Sequence, residues 1–240
     1  MSLSSALSVA VSGTAPVSIA GVPFVVLSEG ALWQPDVAML VVADLHLEKG
    51  SAFASRGRGL LPPYDTAATL AALRALIQRF DPAVVALLGD SFHDSRAGER
   101  IAPGDLDTLR TLQRGRDWIW ISGNHDPEPP HGVRGDWLPF LRLGGIVLRH
   151  EPKPGAAFGE IAGHLHPVAK VHVRGRGVRT RCVVTDEVRA VLPAFGSYAG
   201  GLNVCDRAFA PLFEVAPSAF LLGGEGVFRL PLARLSPDRG

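Results

Sequence analysis

The stretch VVALLGDSFHD, residues 84–94, decides how this chain folds and where its chemistry lies. The apolar run at 83–88 has the length and composition of a buried strand, and Gly89 and Asp90 follow it at once. An Asp at the end of a buried strand can hold a metal ion. The role of His93, three positions later, depends on what the rest of the chain brings to the same place.

Further apolar runs recur along the chain, each bounded by Gly, Pro, Asp or Ser, which is the signature of β-strands. These runs are VPFVVL (22–27), AMLVVA (38–43), WIWI (118–121), GGIVLRH (144–150), EIAG (160–163), AKVHV (169–173), RCVVT (181–185), RAVLPAF (189–195), SAFLL (218–222) and GVFRL (226–230). The second half of the chain is therefore predicted to be mostly strand.

Helical periodicity is clearest at 65–80, and a second helix is predicted at 104–114. Asp65 or Thr66 is expected to cap the first helix. One face of that helix is apolar and comprises Leu70, Leu73, Leu76 and Ile77. Because the first half alternates strand and helix, the pattern predicts an α/β fold of two mixed sheets face to face, with helices outside them.

Length and composition fit one globular domain, 1–240, with 47% hydrophobic and 20% charged residues. The net charge of +1 neither favours nor excludes a nucleic-acid partner. Two cysteines, Cys182 and Cys205, form neither a disulfide framework nor a metal motif, so we expect a reducing, cytoplasmic setting. Residues 1–16 lack the basic start of a signal peptide, and no apolar run approaches the roughly 20 residues of a membrane helix.

Polar side chains with metal-binding chemistry follow several of the predicted strands. In chain order they are Asp44 and His46, Asp90, Asn124 and His125, His150, and His164 with His166. Taken singly, each signal is weak, because a turn Asp or a solvated His explains it as well. Together they indicate one crevice, since polar residues past the carboxyl ends of strands line the binding site of α/β sheets.

The donor set favours a particular kind of metal. Carboxylate, imidazole and amide oxygen donors without thiolate suit Mn²⁺ best, with Fe and Zn²⁺ possible and Mg²⁺ less suited because imidazoles are many. One Asp can bridge two such ions held about 3.5–4 Å apart, which clamps both oxygens of a phosphoryl displacement. A water between two cations becomes a nucleophile near neutral pH.

The ordered motifs DLH, GDSFHD, GNHD, the lone His150 and GHLHP resemble the five blocks of the calcineurin-like metallophosphoesterases over roughly residues 40 to 170. The resemblance implies a four-layer αββα sandwich of two mixed β-sheets flanked by helices, holding two divalent metal ions. It assigns one ion to Asp44, His46, Asp90 and His166, and the other to Asp90, Asn124, His150 and His164. His125 would not bind metal and would donate a hydrogen bond or a proton to the phosphate.

His93 departs from the superfamily pattern, where an Asp commonly stands. GDSFHD resembles instead the form found in the SbcD-type DNA-repair nucleases. His93 could therefore orient Asp90, His125 or the substrate, or it could be a structural hydrogen-bonding group.

A narrower resemblance covers LHLEKGSAFASRGRGLLPPYDTAATLAAL (45–73) and LPAFGSYAGGLNV (192–204), which look like the ligase-associated DNA damage response endonuclease family PdeM. That family implies DNA as the substrate and repair partners: an ATP-dependent DNA ligase, a helicase and a second nuclease-like protein.

Phosphate contacts would come from Asn124, His125 and His93 together with Arg56, Arg58 and Arg96. A second basic stretch, KVHVRGRGVRTR (170–181), is better explained as a hairpin, because glycines between arginines fit a turn. Among the few aromatic residues near candidate loops, Phe53, Phe92 and Tyr198 could stack on bases.

Two other functions remain open. One is a phosphoesterase acting on a small nucleotide or another phosphodiester. The other is a catalytically silent scaffold in a repair complex, whose mark would be lost ligands; all the expected ligands are present in this chain.

Overall fold

The computed structural model describes residues 13–57, 62, 64–155, 159–224 and 226–238. Four α-helices lie in this part of the chain: α1 (Lys49–Ser55), α2 (Asp65–Phe80), α3 (Ala97–Arg100) and α4 (Pro103–Leu112). The strands are β1 (Thr14–Ile19), β2 (Val22–Leu27), β3 (Leu32–Gln34), β4 (Met39–Val42), β5 (Val84–Leu88), β6 (Asp117–Ile121), β7 (Asp136–Leu138), β8 (Leu141–Leu143), β9 (Ile146–Leu148), β10 (Glu160–Ala162), β11 (Pro167–Val173), β12 (Arg176–Thr185), β13 (Arg189–Val191), β14 (Leu202–Asn203), β15 (Ser218–Gly223) and β16 (Gly226–Pro231).

The first sheet has seven strands in chain order, β1 to β7. Strands β1 to β4 pair antiparallel, whereas β4, β5, β6 and β7 run parallel to one another. All four residues of β4 are buried. That is expected of a central parallel strand covered on both faces, and it explains why this part of the sequence is a continuous apolar run.

The second sheet is also mixed and has the order β14-β11-β12-β13-β10-β9-β8, with β15 and β16 added beside β12. Strand β12 is ten residues long and pairs with three neighbours. Strands β9, β10 and β13 run parallel, so their carboxyl ends lie on one edge. The prediction of two mixed sheets is confirmed.

The two sheets face each other across a shared apolar core. Val41, Leu88 and Ile121 from the first sheet meet Ile161 and Phe220 from the second. The other face of the first sheet packs on helices α2 and α4, where the predicted apolar face of α2 is buried. The outer face of the second sheet is covered by the segment 204–217, which includes a 3₁₀ turn at Ala210–Leu212.

The expected cap of helix α2 is wrong. Tyr64 precedes the helix, and no side-chain hydrogen bond caps it. The carboxylate of Asp65 instead accepts the backbone N–H of Gly50 at 3.0 Å, and the hydroxyl of Thr66 accepts that of Glu48 at 2.9 Å. Both side chains serve the start of helix α1, because α1 packs across the beginning of α2 and its first N–H groups also need partners.

Within the described residues, no helix is long and apolar enough to span a membrane.

Candidate metal centre

The predicted site residues gather where the parallel strands of both sheets end. Asp44 follows β4, Asp90 follows β5 and Asn124 follows β6, while His150 and His164 follow β9 and β10 of the second sheet. The backbone of β4 continues beside β5 past the strand ends, since the N–H of His46 bonds to the carbonyl of Asp90 at 2.9 Å. The edge shared by the two sheets therefore brings together residues that are far apart in the chain, such as Asp44 and His164, which are 120 positions apart.

Two adjacent groups of side chains could each hold a metal ion. Ligand atoms of Asp44, His46 and His166 lie within 4.8 Å of one another, and so do those of Asp90, His150 and His164. The expected groups differ from these in two respects: Asp90 was expected in both groups and lies in the second only, and Asn124 was expected in the second. The amide oxygen of Asn124 lies 2.9 Å from Nε2 of His150, beside the second group.

Several atoms in these groups are arranged as metal ligands would be. Nε2 of His46 faces Nε2 of His166 at 3.3 Å, and Nδ1 of His164 faces Nε2 of His150 at 3.1 Å. Nδ1 of His150 bonds to the carbonyl of Leu88 at 3.0 Å, which leaves its Nε2 lone pair free to bind a cation.

The carboxylate of Asp44 gives the clearest test of fit. Its Oδ1 is buried and accepts no hydrogen bond from the described residues. It lies 3.4 Å from Nε2 of His166 in one group and 3.5 Å from Nδ1 of His150, which belongs to the other. A buried carboxylate oxygen without a donor is costly in free energy, and a divalent cation held by Asp44, His46 and His166 would satisfy it. The residues present fit two such ions.

The backbone at this edge is unusual. Five of the predicted ligands have a positive φ although none is glycine: Asp44 (53°), His46 (45°), Asp90 (45°), His164 (69°) and His166 (46°). Non-glycine residues adopt this left-handed conformation rarely, and such strain concentrates at functional sites. The turn aims each side chain out of its strand end and toward the shared crevice.

Glycines beside the ligands leave room for them. A Cβ at Gly89 would lie 2.5 Å from the ring of His150, and one at Gly123 would overlap the backbone nitrogen of Asp90. A Cβ at Gly163 would likewise overlap the carboxylate of Asp44. The glycine in each of the motifs GD, GNH and GHLH is therefore required by the close approach of a neighbouring ligand.

His125 lies at the mouth of the site and not among the two ligand groups. Its backbone N–H donates to Oδ1 of Asp90 at 2.9 Å, and its Nδ1 bonds to the carbonyl of His93 at 2.9 Å. This second bond fixes the ring, and its Nε2 lies 3.9 Å from Oδ2 of Asp90. The side chain is 39% exposed, so a substrate in the crevice can reach it.

His93 contacts His125 through its backbone carbonyl and through its ring. The two rings stack with centroids 5.1 Å apart and an interplanar angle of 25°. Burial, followed by the neighbouring charges of His125 and Lys49, lowers the pKa of His93 to about 4. Burial together with His166 likewise lowers the pKa of His46 to about 2. Both rings are therefore neutral at neutral pH, which is the form in which an imidazole binds metal or stacks without repulsion.

Asp126 is a site residue that sequence reasoning missed. It is fully buried, and its carboxylate accepts the N–H of Gly123 at 3.1 Å and that of Phe92 at 3.0 Å. It thereby joins the GNHD loop to the GDSFHD loop. Burial is the main cause that raises the pKa of the Asp126 carboxyl to about 7. The hydrogen bonds from Phe92 and Gly123 act in the opposite direction and lower it. The sequence shows Asp126 only as the last letter of GNHD, where a solvated turn residue is equally expected.

The three arginines that were expected to bind phosphate differ in their surroundings. Arg56 is bonded to Asp94 at 2.9 Å, at the end of helix α1. Arg96 is 76% exposed and pairs with Glu99. Arg58 lies outside the described residues.

The second basic stretch forms a hairpin. Strands β11 and β12 join through Arg174 and Gly175, both with positive φ, as a two-residue turn requires. The hairpin interpretation is confirmed.

The glycine-rich segment 196–201 lies against the site. Gly196 bonds to the carbonyl of Asp44 at 3.2 Å, and the carbonyl of Tyr198 accepts a hydrogen bond from Nζ of Lys49 at 3.1 Å.

Comparison with known proteins agrees with this geometry. The calcineurin-like phosphoesterase family matches residues 38–181, and the chain belongs to that family. Its fold is similar to the crystal structure of Pseudomonas putida nuclease MPE, with a TM-score of 0.69 and 32% sequence identity over 90% of this chain and 100% of that one. No protein of curated function matches the chain in sequence. The family and the two ligand groups make the chain a metal-dependent phosphoesterase.

Proposed function

We propose that the chain is a phosphodiesterase that cleaves DNA with two divalent metal ions. The observation that carries the proposal is the pair of adjacent ligand groups with His125 beside them, in a chain whose fold is similar to that of a nuclease. Two metals side by side suit phosphoryl displacement, in which attacking and leaving oxygens must both be stabilised.

In this proposal Asp44, His46 and His166 hold one ion, and Asn124, His150 and His164 hold the other. Asp90 is proposed to hold both ions through its carboxylate, which belongs to the second group. When bound, the two ions would lower the pKa of the attacking water and neutralise charge that develops on the phosphoryl oxygens. We expect Mn²⁺, given oxygen and imidazole donors without thiolate.

His125 is proposed to act on the substrate directly. The bond from Nδ1 to the carbonyl of His93 keeps a proton on Nδ1, so only Nε2 can exchange one. When protonated, Nε2 can donate to a non-bridging oxygen and pass the proton to the leaving oxygen. The ring of His93 supports the orientation of His125 from behind.

Three arginines are proposed as further substrate contacts. Arg56 is close enough to the ring of His93 to contribute to its lowered pKa, after burial and the other neighbours. Arg58 and Arg96 are proposed from the sequence alone. A role in DNA repair, with a ligase, a helicase and a second nuclease-like protein as partners, rests on the resemblance to the PdeM family, and the cytoplasmic location rests on cysteine usage.

The deciding experiment is Mn²⁺-dependent cleavage of covalently closed circular DNA, single-stranded and duplex, with the Asp90→Ala protein as control. A closed circle has no ends, so nicking that disappears in the control establishes an endonuclease. If circles survive while bis(p-nitrophenyl) phosphate is hydrolysed, the centre is active and DNA is the wrong substrate for the isolated chain. If neither reacts although metal is bound, the phosphodiesterase proposal fails and the scaffold hypothesis replaces it.

A further inference from the structure

Helix α1 presents a basic and aromatic face beside the metal centre. Lys49, Phe53 and Arg56 are spaced at i, i+4 and i+7, so they share one side of the helix and its end. The ring of Phe53 lies 5.8 Å from that of His93, which in turn stacks on His125. The rings of His125, His93 and Phe53 therefore lie in a row, and Phe53 at its end is only partly buried.

Hydrogen bonds to neighbouring segments fix the position of helix α1. The Glu48 carboxylate, just before the helix, accepts hydrogen bonds from Ser51 at 2.6 Å and Thr66 at 2.9 Å. Arg100 bonds to Ser51 at 3.0 Å and to Asp94 at 2.7 Å, and the same Asp94 carboxylate holds Arg56. These bonds tie the helix to α2 and to the GDSFHD loop, so the face formed by Lys49, Phe53 and Arg56 is rigid before any ligand arrives.

Two features of this face point to a nucleic-acid strand. Lys49 uses one of the three donors of its ammonium group on the carbonyl of Tyr198, which holds Nζ over the site and leaves further donors for a phosphate. Phe53 offers a flat apolar ring between two cations, which is the pattern that binds single strands, with bases stacked on aromatics and phosphates on basic side chains. Arg56 is bonded to Asp94 through one guanidinium nitrogen and is half exposed, so it too keeps further donors for a phosphate.

We propose that helix α1 binds the DNA strand next to the cleaved phosphate, with a nucleobase stacked on Phe53 and neighbouring phosphates on Lys49 and Arg56. This inference rests on the proposed function, since it assumes that DNA is the substrate. It adds a base-contacting residue to a site whose other contacts are all with the phosphodiester. The base contact is insensitive to sequence, because every base has a π-face.

The test is a double-mutant cycle between Phe53 and a base. Cleavage of single-stranded oligonucleotides with one abasic position, moved along the strand, is measured for the wild type and for Phe53→Ala. At one position near the cleaved bond, removing the base should lower kcat/KM of the wild type by about 5- to 150-fold, the range of one base–aromatic stack. Phe53→Ala should lose as much on intact DNA and then be indifferent to the base at that position.

Two further variants separate stacking from packing. Phe53→Leu keeps apolar volume against His93 but has no π-face, so it should behave like Phe53→Ala, whereas Phe53→Trp should retain the dependence on the base. Phe228→Ala, which removes an exposed phenylalanine from the edge strand β16, should leave cleavage and its dependence on the base unchanged.

Failure of this inference can be distinguished from failure of the proposed function. If the wild type cleaves and Phe53→Ala keeps the full dependence on the base at every position, the base contact is wrong while the proposed function stands. Loss of bound metal in Phe53→Leu, measured by metal analysis, would make Phe53 a packing residue and would also overturn the inference. If the wild type cleaves no DNA at all, the proposed function itself fails.

Discussion

The segment of helix α1 with the Arg56 and Gly57 that follow it, and the hairpin of β11 and β12, are both basic and both have glycine next to arginine. Each follows a pair of predicted metal ligands. The fold uses them differently. Helix α1 turns back over the site, where Lys49 reaches the carbonyl of Tyr198. The hairpin leaves the site at Pro167 and extends for seven residues, about 20 Å, to its turn.

The hairpin's basic side chains are also engaged elsewhere. Lys170 and Arg179 both bond to Asp238, and Arg181 bonds to the carbonyl of Ala194. A basic segment next to metal ligands is therefore not by itself a phosphate-binding segment. What decides is whether the backbone turns back toward the crevice.

The largest effect is expected at the metal edge itself. Asp90→Ala should abolish cleavage and release both ions, because the Asp90 carboxylate belongs to the second ligand group and is proposed to hold the ion of the first group as well. Metal analysis after desalting measures this. Asp117→Ala is the matched control, since Asp117 is exposed at the opposite end of the same sheet. Retention of both ions by Asp90→Ala would contradict the assignment.

His125→Ala should slow turnover by about 10²–10⁴-fold, the usual range for a residue that transfers a proton, while two ions stay bound. The reason is geometric, since the ring of His125 stands outside both ligand groups. Kinetics and metal content are measured on the same preparation. If His125→Ala loses its metal, the separation between ligands and proton donor is wrong.

Gly89→Ala should weaken metal binding by about 10–100-fold, the cost of disturbing the shell that orients a ligand. The added methyl group would press on the ring of His150. Gly115→Ala is the control, because Gly115 has nearly the same φ, 73° against 72°, with nothing within 4 Å of the added atom. Calorimetric titration with Mn²⁺ compares the metal affinities of the two variants. Equal losses in both variants would mean that backbone strain, and not contact with His150, is responsible.

The smallest effect is expected on the salt dependence of DNA binding, when one basic residue is replaced in each of the two segments. Lys49→Gln should reduce the slope of log K against log salt for single-stranded DNA by about 0.7, as expected for one lost phosphate contact. Arg176→Gln, at the start of β12 beyond the turn of the hairpin, should leave the slope unchanged. Fluorescence anisotropy at several salt concentrations measures both. A reversed result would place the DNA strand along the hairpin.

Much of this architecture could be read from local patterns. Every predicted apolar run contains a strand, and the buried face of helix α2 is the predicted one. Short strands such as β3 and β7 were missed, because three residues carry too little alternation to be recognised. Helix α1 was missed as well, since KGSAFAS contains glycine and two serines, which are weak helix formers.

The errors at the site have one cause. Asp65 and Thr66 were expected to cap their own helix, but they serve the start of helix α1. Asp126 was overlooked although it joins two loops that are 34 positions apart. In each case a polar side chain has a local and a distant partner available, and the sequence shows only the local one.

The sequence by itself determined the kind of chemistry: oxygen and imidazole donors placed after apolar strands, which the parallel strand ends then bring to one edge. Only the tertiary structure decided how these residues are divided and aimed. The left-handed backbone at Asp44, His46 and Asp90 aims these side chains, and Gly89 and Gly163 leave room for ligands that come from the other sheet. The physical reason is that residue type and periodicity are local properties, whereas the direction of a side chain and the partner of a charge depend on segments far apart in the chain.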